Sequence, residues 1–130
     1  MATDVRWKQR FQNFEKALTF LQSGVEKPEL TKIEEAGVIQ AYEFTFELGW
    51  KTLKDYLEEN LLLVPFPRDA IKEAFRSDLI QDGDSWMDML EKRNLMSHCY
   101  DEKQASIALR LIKDRYFPIL KALRERMKTK

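Results

Sequence analysis

Apolar side chains recur along this chain at steps of three and four, the spacing of amphipathic helices, and no segment alternates in the manner of a strand. Trp7, Phe11, Phe14, Leu18 and Leu21 form one stripe, which predicts a first helix over about 4–23, ended by Gly24 and Pro28. Thr31 and Glu34 have the spacing of a capping box, so a long second helix opens there and is expected to run to about Leu63. This second helix is apolar on two sides. Ile39, Tyr42, Phe46, Trp50, Leu53 and Leu57 make one stripe, and Ala41, Phe44 and Leu48 make another, rotated away from the first. Two such sides need two neighbours, either both within the bundle or one from another subunit. Its remaining face, with Gln40, Glu43, Glu47, Lys51, Lys54 and Glu58, suits solvent and ion pairs at i,i+4 such as Glu47 with Lys51.

Pro65 and Pro67 precede a short third helix over about Asp69–Leu79, and Asp82-Gly83-Asp84 reads as a turn. Ser85 with Asp88 has the form of a second capping box and predicts the start of a fourth helix. A last helix from about Lys103 would bury Ala105, Ala108, Leu109, Ile112, Tyr116, Leu120 and Leu123. Pro118 lies inside it and predicts a kink, because its nitrogen cannot bond toward Asp114. With no repeat, linker or low-complexity tract, the pattern predicts a single all-α domain over residues 1–130, a compact antiparallel bundle.

Composition narrows the chemistry. Hydrophobic residues are 44% and charged residues 34%, the balance of a charge-rich soluble helical protein. Net charge is zero, so bulk electrostatics do not make the whole chain a polyanion binder. The charge is uneven, however: residues 110–130 carry eight Lys or Arg against Asp114 and Glu125. Such an end either attracts phosphates or is a solvated helix end whose cations suit the helix dipole. The single Cys99 excludes an intramolecular disulfide, and with a single histidine it does not furnish a zinc site, so neither metal nor cofactor is expected. MATDVRWKQRF has no apolar signal core, and no run nears the ~18 apolar residues of a membrane span; a cytoplasmic location is the expectation.

The chemistry concentrates in KRNLMSHCYDEK, residues 92–103, which holds the chain's only histidine. Trp86, Met89, Leu90 and Met96 define the apolar stripe of the fourth helix, and Arg93 falls in its middle. A guanidinium there must meet a carboxylate, for which Glu43 and Glu47 are candidates, or line a polar cavity. Asn94 lies about 100° round the helix from Arg93, and His98 is one turn beyond Asn94. Tyr100 follows in the connection, and Asp101 and Glu102 acidify the next helix start. Cys99 neighbours His98 in sequence and so does not face it; Met87, Met89 and Met96 read as gap-filling core. Arg, Asn, His and Tyr gathered without a metal set suit a phosphate. Arginine grips its oxygens in pairs and histidine moves a proton near neutrality, enough to turn a ribose 2′-hydroxyl on its own phosphodiester. The alternative is structural: a buried Arg ion pair, a capping Asn and a partly buried His.

Arg93-Asn94-Leu95-Met96-Ser97-His98-Cys99-Tyr100 resembles R-N-x-x-x-H-x-Y, the signature of the HEPN superfamily (higher eukaryotes and prokaryotes nucleotide-binding). TFELGWKTLKDYL, residues 45–57, and SWMDMLEKRNLMSHCYDEK, residues 85–103, resemble its branch of nucleotidyltransferase substrate-binding proteins, akin to HepT-type toxins of toxin–antitoxin pairs. The resemblance implies an up-and-down bundle of four main helices with one short extra helix, paired as a homodimer. It also implies a separate minimal nucleotidyltransferase partner, and RNA or a nucleotide as ligand. In active relatives the motif Arg and His of both subunits meet across the dimer axis and cut RNA without metal. Carried onto this chain, His98 is the acid/base, Arg93 the phosphate clamp, and Asn94 orients the pair. Arg93, Asn94, Ser97 and Tyr100 line the substrate side, and Tyr100 holds the position that a partner modifies with AMP. Three functions follow as expectations: a metal-independent endoribonuclease, a non-catalytic nucleotide- or substrate-binding subunit, or a plain interaction bundle.

Overall fold

A computed structural model describes residues 3–96 and 101–130, with the backbone alone for 3–5 and 94–96. The chain forms α1 (Thr3–Val25), α2 (Lys32–Glu59), α3 (Pro67–Arg76), α4 (Gly83–Met96) and α5 (Glu102–Leu111). Helix α5 continues without a break through a π-helical turn, Ile112–Tyr116, into α6 (Phe117–Lys128). Among the described residues there is no strand. The all-α bundle read from the pattern is therefore what forms.

Helix α2 is the spine. Phe14 of α1, Trp86 of α4 and Leu123 of α6 all converge on Gly49: a Cβ there would stand 3.2 Å from Phe14, 3.3 Å from Trp86 and 3.6 Å from Leu123. Three helices approach α2 closely because that position has no side chain. Direction follows from paired contacts. Trp7 stacks edge-on to Tyr56 at 5.1 Å while Gly24 lies against Val38, so α1 runs antiparallel to α2. Tyr116 stacks on Tyr42 at 5.4 Å while Leu123 reaches Gly49, so α5–α6 runs parallel to it.

The stripes of the two long helices behave as their periods require. Trp7, Phe11, Phe14, Leu18 and Leu21 are all buried, as are Ile39, Tyr42, Phe46, Trp50, Leu53 and Leu57. The second side of α2 is different: Ala41 is buried and Leu48 packs at the core edge, but Phe44 stays 64% exposed, outside the hydrophobic core of the described residues. Nearer the C-terminal end of α2, Arg10 Nε binds the buried Asp55 carboxylate at 3.0 Å and ties α1 to α2.

Several helix ends depart from expectation, each for a local reason. Gly24 does not end α1; it lies within it, and a Cβ there would come 2.6 Å from Val38. The Thr31–Glu34 capping box forms as read. Helix α2 stops at Glu59, short of Leu63, in a Schellman motif: Leu62 N–H bonds the Leu57 carbonyl, Leu61 N–H bonds that of Glu58, and Leu61 adopts φ 68°. Helix α3 starts earlier than expected because Pro67 occupies its first turn, where a missing N–H costs nothing. It ends at Arg76, before Leu79, in a second Schellman motif, with Asp78 at φ 62° and Leu79 N–H on Ala74. Helix α4 opens at Gly83, so Ser85 sits inside it. Asp82 caps Ser85 N–H at 3.0 Å, in place of a Ser85–Asp88 box. Pro118 falls just after the π turn, whose wider loop is closed by Phe117 N–H to the Ile112 carbonyl.

Candidate functional site

Arg93 is the described member of the sequence-predicted site, and the structure supplies its counter-ion. Its Nη1 lies 2.6 Å from Glu47 Oε1, joining the last turns of α4 to the middle of α2. Of the two acids considered for this role, Glu47 takes it; Glu43 stands one turn earlier on α2, half-buried. Glu47 is itself held, since its Oε2 accepts from Trp50 Nε1 at 3.1 Å and stands 3.8 Å from Lys51 Nζ. The pair is not sealed in the core: side-chain exposure is 29% for Arg93 and 39% for Glu47. A charged guanidinium thus rests at the edge of the bundle, where a carboxylate fixes its direction and solvent reaches it. Such a group can receive an anion without first being dragged from an apolar interior.

Asn94 lies in α4, which continues to Met96, and its side chain is outside the described residues. Ser97, His98 and Tyr100 are outside the described residues as well, together with Cys99. The described residues on both flanks of this segment are held in place. Before it stand Trp86 and Met89, both buried, which fix the face of α4. After it, Asp101 caps α5 by accepting from Lys103 N–H at 2.9 Å, and Glu102 pairs with Lys32 at the start of α2.

Behind Arg93 lies a network that periodicity alone did not reveal. Asp88, one turn and a half earlier on α4, receives Lys92 Nζ at 3.2 Å, Arg115 Nη1 at 3.1 Å and the Tyr116 hydroxyl. Arg115 Nε also donates to Ser85 Oγ at 3.1 Å. Arg115 and Tyr116 come from the π turn, so that turn brings two consecutive side chains onto one carboxylate. Burial would raise the Asp88 carboxyl, but the hydrogen bonds from Tyr116 and Lys92, with the charges of Lys92 and Arg115, hold it below the usual range. Burial, and then Asp88, push the Tyr116 hydroxyl well above its ordinary value. Tyr42, stacked on Tyr116, is also driven up, first by burial and then by the charges near it. The i,i+4 spacing of Asp88 and Lys92 was the one legible sign of this hub. Among the described residues no group of three His, Cys, Asp or Glu side chains assembles into a metal-binding set.

Residues 9–129 match the model of the family described as nucleotidyltransferase substrate binding protein like. The chain belongs to that family. A curated relative from Haemophilus influenzae, named a probable ribonuclease HepT, is 33% identical over 84 residues, 61% of this chain. The chain spans 58% of that relative's length. Two solved structures share the fold of this family member. One, from Thermus thermophilus, superposes with a TM-score of 0.81 at 30% identity over 88% of this chain and 98% of that one. The other, from Haemophilus influenzae, gives a TM-score of 0.65 at 26% identity over 97% of this chain and 98% of its own; it is described as revealing the fold of a substrate-binding domain of a nucleotidyltransferase. No helix among the described residues is long and apolar enough to cross a membrane.

Proposed function

We propose that this family member is the helical partner of a minimal nucleotidyltransferase, in a toxin–antitoxin-like pair, and that it is a metal-independent endoribonuclease. Residues 1–130 act as one HEPN-like domain in the cytoplasm. The observation that carries this reading is the setting of Arg93: a motif guanidinium paired with Glu47 at the bundle edge, with 29% of its side chain still open to solvent.

In this reading Arg93 clamps the scissile phosphate, His98 takes a proton from the ribose 2′-hydroxyl and returns one to the departing 5′-oxygen, and Asn94 orients the two. Ser97 and Tyr100 complete the substrate side, and Tyr100 is the residue that the partner modifies with AMP. Two copies pair so that both motif segments share one cleft. Phe44 supports the pairing, since it stands about two-thirds exposed on α2, three residues before Glu47, and so gives the site an exposed apolar border. The test is RNA cleavage by the isolated protein in the presence of a chelator, compared with Arg93→Ala. Cleavage that the substitution removes supports the nuclease. Nucleotide binding that depends on Arg93, without cleavage, would instead make this chain a substrate-binding subunit, the reading favoured by the description of its structural relative.

A further inference from the structure

The basic end of the chain divides into two groups. Toward the C-terminus most cations are occupied: Arg115 is on Asp88, Lys121 lies over the Phe117 ring, Arg124 and Lys128 bind Glu125, and Arg126 binds Asp78, while Lys113 and Lys130 stand exposed. Nearer the motif, Lys103 and Arg110 are exposed and have no acidic partner among the described residues. They stand with Ser106 and Ile107 along a groove of about 520 Å³ on α5, which Asp114 closes at its far end.

We infer that this groove holds the backbone of single-stranded RNA, extending the candidate site along α5. Positions 103, 106, 107 and 110 fall on one face of a helix. Seven residues of helix separate the two cations by roughly 10 Å, about the rise of three stacked nucleotides. Lys103 and Arg110 hold phosphates, and the Ser106 hydroxyl donates to the backbone between them. Ile107, 54% exposed, gives an apolar contact for the intervening sugar or base. The opposite charge of Asp114 marks where the strand leaves. Lys103 follows His98 by five residues in sequence. The inference rests on the ribonuclease reading only for what happens to the strand at that near end.

The experiment measures binding of a short fluorescent 2′-O-methyl RNA, which cannot be cut through its 2′-oxygen, as a function of salt. A Lys103→Glu, Arg110→Glu double variant should bind at least tenfold more weakly, with the log–log salt slope shallower by about 1.4, the value for two phosphate contacts on a single strand. Lys103→Arg with Arg110→Lys should bind like the wild type. RNA bound equally well by the charge-reversed variant, or by neither protein, overturns the groove. The same RNA with free 2′-hydroxyls separates the two readings: if it is bound through this pair but never cleaved, the nuclease falls and the groove stands, whereas if it is cleaved with indifference to the pair, the reverse holds.

Discussion

Arg93 Nη1 and Glu47 Oε1 lie 2.6 Å apart across the α4–α2 contact, and both side chains keep about a third of their surface in solvent. An ion pair so placed is worth little to the fold, because water screens it and each partner can be solvated when the other is lost. Arg93→Ala should therefore cost below about 1 kcal/mol of stability. Arg10→Ala makes the contrast, since it leaves the Asp55 carboxylate, with a side chain 2% exposed, without its cation, and should cost about 3 kcal/mol. Chemical denaturation of both variants checks the ranking. A reversed order would return Arg93 to a structural role.

The stacked tyrosines behave oppositely under the same substitution. The Tyr42 hydroxyl is buried and has no hydrogen-bond partner among the described residues, while that of Tyr116 donates to Asp88. Tyr42→Phe should stabilise the protein or leave it unchanged, whereas Tyr116→Phe should destabilise it by about 1–3 kcal/mol, the cost of a lost bond to a charged group. Thermal unfolding of the two single variants distinguishes them.

Asp88 also predicts a pH dependence. Its carboxyl lies below the ordinary range in the folded chain, so the stability it contributes is present above about pH 4, the unfolded value, and is lost as pH falls through the folded value. Asp88→Asn should be less stable than wild type at neutral pH, and the gap should narrow steadily below about pH 4. A gap that holds constant into acid would mean that the charge on Asp88 does not matter to the hub.

Most of the bundle is legible from period alone, because each long helix buries one continuous stripe, from Trp7 to Leu21 and from Ile39 to Leu57. The helix ends at Leu61 and Asp78 were harder to read. Both carry left-handed backbone in Schellman motifs where glycine would have been the visible signal, and a leucine and an aspartate stand there instead. Pro118 announced an irregularity, but not that the chain would absorb it by widening Ile112–Tyr116 into a π turn. That turn aims Arg115 and Tyr116 at an aspartate some 28 residues earlier, a convergence no local window contains. Arg93 was legible as a buried-face cation that needed a counter-ion. Choosing Glu47 over Glu43 required the rotation of α4 against α2, which depends on packing around Gly49. The roles of Asn94, Ser97, His98 and Tyr100 still rest on the resemblance.

The exposed Phe44 can be tested independently of catalysis. Phe44→Asp should shift the sedimenting species from dimer to monomer while leaving helical content unchanged, because the side chain is 64% exposed and not part of the core cluster. A variant that sediments like the wild type would move the pairing surface elsewhere.

The central claim concerns the ribose 2′-oxygen and the imidazole of His98. It is tested most directly by mass spectrometry of the ends left on a short RNA after incubation with the wild type and with His98→Ala in chelator. The account predicts 2′,3′-cyclic phosphate and 5′-hydroxyl ends from the wild type, and intact RNA from a His98→Ala protein that remains folded. Cleavage by His98→Ala at the wild-type rate, or wild-type products with a 5′-phosphate, would contradict it.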